Sequence, residues 1–387
     1  MPRTWRSLAM ALGDRVRRLA GRPRDPFADS PPGLSLSPSA RHFADYPNVP
    51  LRLSLARVSP GAFAPWQVEA RAKLAELSGY SRAAAPPLAL REDTFPLPGG
   101  LVRRRVYLRL REGVDVPVHL VTSSEPAAEP RPAMLCLQGT NGGAHLSWGE
   151  ARIPSDLEPG RGKYAIALQA ARRGFLAVAI EASCFGERAE RAIRPRSAAP
   201  CVDASMHAFL LGRSLMGERC SDVSGVVDWL VAWAPDLRID PARIAIMGHS
   251  AGGSVALHAA ALDTRISAVL ACGCIGFLRD TIARRRDDQG QNVIPGILNW
   301  LELSDVVALV APRPLASVAG ESDPIWPADG ARAVFDAAAA AYAGLGAQGR
   351  LVLRVEPGGH RFRPATSWEA LASAGHASEL DGASARQ

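Results

Sequence analysis

A mainly parallel β-sheet covered on both faces by helices is the fold that this 387-residue sequence predicts. Three observations predict it. Short runs that are apolar throughout recur along the chain, as strands buried on both faces require. Segments of helical length stand between them, the pattern of parallel strands joined by crossover helices. Hydrophobic residues make up 47% and charged residues 21% of the chain, enough apolar surface to bury a large core.

The elements follow in order. Residues 1–60 read as a basic, partly flexible N-terminal extension. Within it Trp5, Leu8, Leu12, Val16 and Leu19 recur at helical spacing with Arg between them. That pattern suits a membrane-surface helix or an organelle-targeting peptide, but its plainest reading is a frayed, solvated helix. The apolar stretch Leu8–Leu12 is too short for a secretory signal and no small-residue cleavage site follows. Residues 21–50, rich in Pro, Ser and Asp, read as a linker. Residues 61–94 form an N-terminal helical segment whose helix spans 64–79, with Pro65 near its start and Gly79 at its end.

The main domain covers 95–375. Runs 101–110 and 116–121 read as two antiparallel strands turning at Gly113, forming one edge of the sheet. Buried strands are expected at 133–138, 175–180, 243–247, 266–272, 314–319 and 350–355. Helices are expected near 161–173, 203–216, 219–233, 251–262, 328–343 and 366–375. Residues 276–300 interrupt the alternation with a charged, then Gly- and Pro-containing stretch, read as a lid-like insertion or surface loop. Residues 376–387 read as a flexible tail.

Charge and cysteine usage remove whole classes of function. Residues 1–24 hold seven Arg and one acid, Asp14, so all but one unit of the net charge of +7 lies there. The near-neutral body offers no electrostatic footprint for nucleic acid. No apolar run reaches the roughly 18 residues of a membrane span. The six cysteines (136, 184, 201, 220, 272, 274) are scattered without zinc or redox spacing, and read as buried thiols in a reducing, cytoplasmic setting.

The strongest chemical signal is Gly248-His249-Ser250-Ala251-Gly252. Gly-x-Ser-x-Gly means little alone, but here an apolar strand runs into it and a helix of small residues leaves it. That is the strand–turn–helix that lifts a serine hydroxyl above the sheet's carboxyl edge. A serine is a poor nucleophile unless a base takes its proton. Among eight histidines, His360 alone sits in a loop just past a late strand, in Pro357-Gly358-Gly359-His360. His249, inside the elbow, and His258, on the following helix, suit packing roles. A carboxylate must hold the base's tautomer. Asp323, just past the strand 314–319, is the first choice and Glu321 the rival; Asp305 precedes the strand and Asp329 suits a helix start. Donors for an oxyanion are expected from the N–H of Ala251 and from the glycine-rich loop Gln138–Gly143, with Thr140 first and Asn141 next. Arg188 is a candidate for a substrate carboxylate, with a structural ion pair as its alternative, and Trp326 for a pocket wall or for packing. The glycine-rich loop lacks the Lys-Ser/Thr of a phosphate loop, and no metal-ligand spacing is present, so neither cofactor nor metal is implied.

In chain order, Gln138–Gly143, Ala182-Ser-Cys-Phe-Gly-Glu-Arg188, Gly248–Gly253, Ala311-Pro-Arg-Pro314, Gly320-Glu-Ser-Asp323 and Gly358-Gly-His360 resemble the α/β-hydrolase superfamily, and within it the dienelactone-hydrolase and acetyl-xylan-esterase-like branch. The resemblance spans roughly residues 60–375. It implies an α/β-hydrolase fold and a Ser-His-Asp esterase. Gln138 stands where such loops often begin with His. Ser250 stands where dienelactone hydrolases proper carry Cys, which disfavours that activity. A small-molecule carboxylic ester, of a small acyl or acetyl group, is then the expected substrate. A prolyl-oligopeptidase-like peptidase, a thioesterase and a non-catalytic scaffold are the alternatives. Oligomeric state, a homo-oligomer included, is left open by the sequence.

Overall fold

The computed structural model describes residues 33–34, 36–59, 61–125, 127–140, 142–157, 164–190, 201–284 and 289–376. Two compact units divide between Asn48 and Val49. In the first, helix α1 (Pro38–Asp45) opens on a proline, which the first helical turn tolerates because its N–H would be unpaired there anyway. The amphipathic stretch Trp5–Leu19, the basic residues 1–24 and the tail 377–387 lie outside the described residues.

The second unit is built on one sheet. Its strands among the described residues are β1 (Leu88–Leu97), β2 (Leu101–Arg111), β3 (Val114–Ser123), β4 (Arg131–Leu137), β5 (Leu176–Ile180), β6 (Ile239–His249), β7 (Ile266–Cys272), β8 (Leu315–Gly320) and β9 (Leu351–Glu356). They lie in the order β1-β2-β3-β5-β4-β6-β7-β8-β9. From β5 to β9 every pairing is parallel. β1, β2 and β3 pair antiparallel, and β3 meets β5 antiparallel.

Helices flank this sheet: α2 (Phe63–Ser78), α3 (Ile166–Arg172), α4 (Val202–Leu210), α5 (Leu215–Ala232), α6 (Ala251–Leu262), α7 (Leu303–Ala308), α8 (Ala328–Gly344) and α9 (Pro364–Leu371). The period-two alternation of a strand separates two cores. Ala133, Leu135 and Leu137 of β4 face a cluster containing residues of α2, α5, α6, α7 and α8. Met134 and Cys136 face a second cluster with α3 and α9. All six cysteines are buried thiols, as expected, and none is in a disulfide. Among the described residues no helix is long and apolar enough to cross a membrane.

Three expectations differ from the structure. The opening hairpin is not the edge: β1 pairs outside β2, and the expected boundary at 95 falls inside β1. Residues 49–94 pack with the main body. Trp66, Ala70 and Leu74 are in its core, Trp66 Nε1 donates to Leu53 O at 2.8 Å, and Leu55 N donates to Asp305 Oδ1 at 2.7 Å. The helix expected over 203–216 ends at Leu210. Gly212 has φ +67°, and Ser214 caps α5 by accepting from Gly217 N at 3.1 Å. The described parts of the 276–300 insertion are tied down. Leu278, Ile294 and Ile297 are buried, and Glu302 accepts from Leu278 N at 2.6 Å and from Arg279 Nε at 3.0 Å.

Candidate active site

β6 runs into Ser250 and α6 leaves it. Ser250 holds φ 58° and ψ −127°, a backbone conformation that residues with a side chain rarely adopt. Its N–H donates to Cys272 O at the end of β7, 2.9 Å away. The flanking glycines are there for space. A Cβ on Gly248 would stand 2.3 Å from Gly252 O, and one on Gly252 would stand 2.5 Å from both Leu137 O and Gln138 O. These are backbone atoms of packed elements and have nowhere to go. Gly252→Ala is therefore expected to lower the urea midpoint by an amount equivalent to about 1–3 kcal/mol, the usual cost of overpacking; an unchanged midpoint would show that α6 can slide away from β4.

Asp323 and His360 meet over the ends of β8 and β9. His360 Nδ1 donates to Asp323 Oδ2 at 2.7 Å. The other carboxylate oxygen accepts from Ile325 N at 2.8 Å and Trp326 N at 3.0 Å. Burial alone would raise the carboxyl's pKa. The bonds from His360 and from the two backbone amides, with the imidazole's charge, outweigh it and hold Asp323 below its ordinary range. Glu321, the rival, is exposed to solvent. Asp305 instead caps α7, its carboxylate accepting from Glu302 N at 2.8 Å.

His249 packs against the base, with ring centroids 4.7 Å apart. Burial first, then the charge of His360, pushes its pKa down to about 3, so it stays neutral beside the site. Gly273, one residue past the Ser250 partner Cys272, lies under both rings: a Cβ there would be 2.8 Å from His249 Nε2 and 3.3 Å from His360 Cε1. Ser250, at the end of β6, thus lies on the same carboxyl edge of the sheet as the Asp323–His360 pair. Among the described residues its Oγ makes no hydrogen bond, to His360 or to any other group.

The loop after β4 approaches the serine closely, since a Cβ on Gly139 would lie 3.4 Å from Ser250 Cβ. Thr140 is half-buried, and its hydroxyl accepts from Gln291 Nε2 at 3.0 Å. Gln138 Nε2 donates to Ser147 Oγ, which anchors the loop's start. Ala251 is buried at the N-terminus of α6. Asn141 lies outside the described residues.

Beneath this loop lies a small cavity. Glu181, Phe185, Arg188, Arg219, Ala251 and Val255 are among its walls. Arg188 lines it but is engaged: Nη1 donates to Asp222 Oδ2 at 2.8 Å and to Glu181 O at 3.0 Å. Trp326 is 3% exposed and sits in the large core, and the cavity's lining does not include it.

Three residues of this region escape the sequence: Glu181, Arg219 and Gln291. Gln291 belongs to the insertion, yet it is buried and also accepts from Arg219 Nη1 at 3.0 Å. Nothing local marks it, because its partners lie 72 and 151 residues away. Glu181 does carry a signal, as a lone acid directly after a wholly apolar strand, hence at the sheet's carboxyl edge.

His119, Glu181 and Glu187 bring ligand-type atoms within 4.8 Å of one another. They do not suit a metal as arranged. His119 Nδ1 accepts from Arg103 Nη1 at 3.0 Å, so the neutral ring carries its proton on Nε2 and has no lone pair left to coordinate.

Comparison with known proteins identifies the family and relatives of similar fold. The model of the Abhydrolase family matches residues 50–326. The candidate hydrolase YtaP of Bacillus subtilis is 29% identical over 141 residues, 36% of this chain and 46% of that protein. The match thus spans less than half the length of that curated relative. Among solved structures, a candidate acetyl xylan esterase from Bacteroides fragilis superposes with a TM-score of 0.65 at 21% identity, covering 86% of this chain and 84% of that one. A glucuronoyl esterase from Solibacter usitatus superposes with a TM-score of 0.62 at 19% identity, covering 84% of this chain and 97% of that one. At these identities the likeness is one of fold.

Proposed function

The chain belongs to the Abhydrolase family, and from that premise we propose that it is a serine esterase of small acyl esters, with Ser250 as nucleophile, His360 as base and Asp323 as the acid that orients the base. The observation that carries this reading is the 2.7 Å bond from His360 Nδ1 to a buried Asp323, on the same edge of the sheet as a serine held at positive φ between strand and helix. With Nδ1–H committed to Asp323, the neutral imidazole keeps its lone pair on Nε2, where a general base needs it.

The reaction follows from these parts. Ser250 Oγ attacks the ester carbonyl as His360 Nε2 takes its proton. Backbone N–H groups of Ala251 and of the 139–141 loop, Thr140 first, bind the tetrahedral oxyanion. His360 then protonates the leaving alcohol. Water, deprotonated by the same imidazole, cleaves the acyl-enzyme and restores the serine. The relatives with esterase names lend the ester class their support, as fold-level analogy.

The cavity beside Ala251 supports a short acyl group. Its walls, Phe185 and Val255 among them, are mainly apolar, and its volume is small, which leaves room for a short acyl group and not for a long alkyl chain. Two measurements test the proposal together. A fluorophosphonate probe is expected to label the protein at Ser250, located by peptide mass spectrometry. On p-nitrophenyl esters, kcat/KM is expected to fall at least tenfold from acetate to octanoate. Labelling elsewhere would end the serine assignment, and a rate rising with chain length would end the short-acyl assignment.

A further inference from the structure

We propose that Glu181 is a positioning residue for this hydrolysis, its ionised carboxylate fixing the loop after β4 by holding the N–H of Ala144. The inference rests on the esterase reading above and names a residue that the reaction steps themselves do not use.

Glu181 is the first residue past β5 and is 3% exposed. Its Oε1 accepts from Ala144 N at 2.9 Å, and its Oε2 from Glu187 N at 3.4 Å. Its backbone is pinned as well: Glu181 N donates to Pro117 O on β3 at 3.0 Å, and Glu181 O accepts from Arg188 Nη1. Ala144 opens the 3-10 turn Ala144–Trp148, which directly follows Gln138–Gly143. The first N–H groups of a helical turn have no partner inside it. For Ala144 that partner is Glu181. The position is shaped for a carboxylate, because Gly186 at φ +52° is bare toward it: a Cβ there would lie 2.3 Å from Glu181 Oε2. One side chain therefore spans two segments, the loop that approaches Ser250 and the 185–188 turn that walls the cavity.

Ionisation decides how strongly Glu181 holds its donors. As a carboxylate it accepts strongly at both oxygens; protonated, one oxygen carries the O–H and loses its charge, and the two N–H groups are held more weakly. The charged and titratable groups facing it are few. From β3 comes His119, whose pKa burial and the charge of Arg103 push down to about 3. Arg103 and Arg105 of β2 stand behind His119 and Glu187. Glu187 and Arg188 share its own turn, and Arg219 and Asp222 of α5 line the same cavity. His145, on the 3-10 turn, is taken by Asp156 at 2.8 Å. Burial first, then the charge of Glu187, outweighs the two N–H bonds and Arg188, and raises the carboxyl from 4.5 to about 7. The ionised fraction therefore changes across neutral pH. Between these values the folded protein keeps a proton that the unfolded chain has lost, so this group's contribution to stability declines as pH rises from 4.5 to 7. Turnover moves the other way and grows with the ionised form.

The test compares wild type with Glu181→Gln. The amide keeps the size but offers one acceptor where two donors point. Expected on p-nitrophenyl acetate is a 10- to 100-fold lower kcat, about 1.4–2.7 kcal/mol of barrier, with KM within threefold and without the rise in kcat through pH 7 that wild type shows. Amide hydrogen exchange of residues 138–148 supplies an arm independent of activity. In wild type, protection corrected for intrinsic pH dependence is expected to fall as pH drops from 8 to 6, and in Glu181→Gln to be low throughout. Wild-type protection that is constant across that range, or a variant with wild-type kcat and pH profile, overturns the proposal. A wild-type protein that hydrolyses no ester overturns the esterase reading, while the exchange arm still decides the role of Glu181. Should the variant not fold, the wild-type exchange profile carries the decision alone.

Discussion

Replacing Ser250 with alanine is expected to lower kcat by about 10⁴-fold or more and to abolish fluorophosphonate labelling, with KM changed only a few-fold. The size follows from what is removed and what is left. The hydroxyl supplies the bond-forming atom of the acyl-enzyme route, and no other hydroxyl takes its place at the end of β6. The N–H groups that receive the oxyanion stay in place, so some rate enhancement over water persists from binding and polarisation. Stability should hardly move. The alanine variant keeps the Cβ and the same positive φ, and Ser250 Oγ has no hydrogen bond to lose among the described residues. Kinetics on p-nitrophenyl acetate with a parallel urea titration checks both halves. A variant that retains a tenth of wild-type kcat, or that still takes the probe, would mean the nucleophile lies elsewhere.

What the sequence reveals and what it hides divide along a physical line. The parallel strands are legible because each is buried on both faces and so reads as an unbroken apolar run; β4, with Met134, Leu135 and Cys136 all buried, is the pattern in its plainest form. β1 is invisible for the converse reason. It is an edge strand paired on one side, its first half exposed and carrying Arg91 and Glu92, so no apolar run betrays it. The break at Gly212–Ser214 is marked in the sequence by a glycine and a capping serine, but the apolar run through Leu210, Leu211, Leu215 and Met216 masks it. At the site, the groups with local punctuation could be found: a serine between glycines, a histidine after Gly-Gly, an aspartate after a strand. The groups that support them are marked faintly, as Glu181 is by its place after an apolar strand, or not at all, and their partners are hidden. Gln291 reaches Thr140 across 151 residues and Glu181 reaches Ala144 across 37, and only the folded chain makes those pairs neighbours.

Asp323→Asn should approach the serine variant in severity, with kcat lower by roughly 10⁴-fold at near-constant KM. The surroundings of the side chain dictate why an isosteric change costs so much. Two backbone N–H groups, of Ile325 and Trp326, converge on Oδ1 and will accept only a carbonyl oxygen there. An asparagine must therefore turn its NH₂ toward His360, at the place where Oδ2 now accepts from Nδ1. Donor then faces donor. The imidazole resolves the conflict by moving its proton to Nε2, which leaves Nδ1 to accept and removes the lone pair that should deprotonate Ser250. The orientation of the amide is thus set by the backbone, and the wrong tautomer follows from it. Glu321→Gln is the matched control: that side chain is exposed, so kcat within about twofold of wild type is expected, as for surface substitutions generally. The reverse result, with Asp323→Asn near wild type and Glu321→Gln inactive, would transfer the acid role to Glu321 and require the loop after β8 to rearrange when substrate binds.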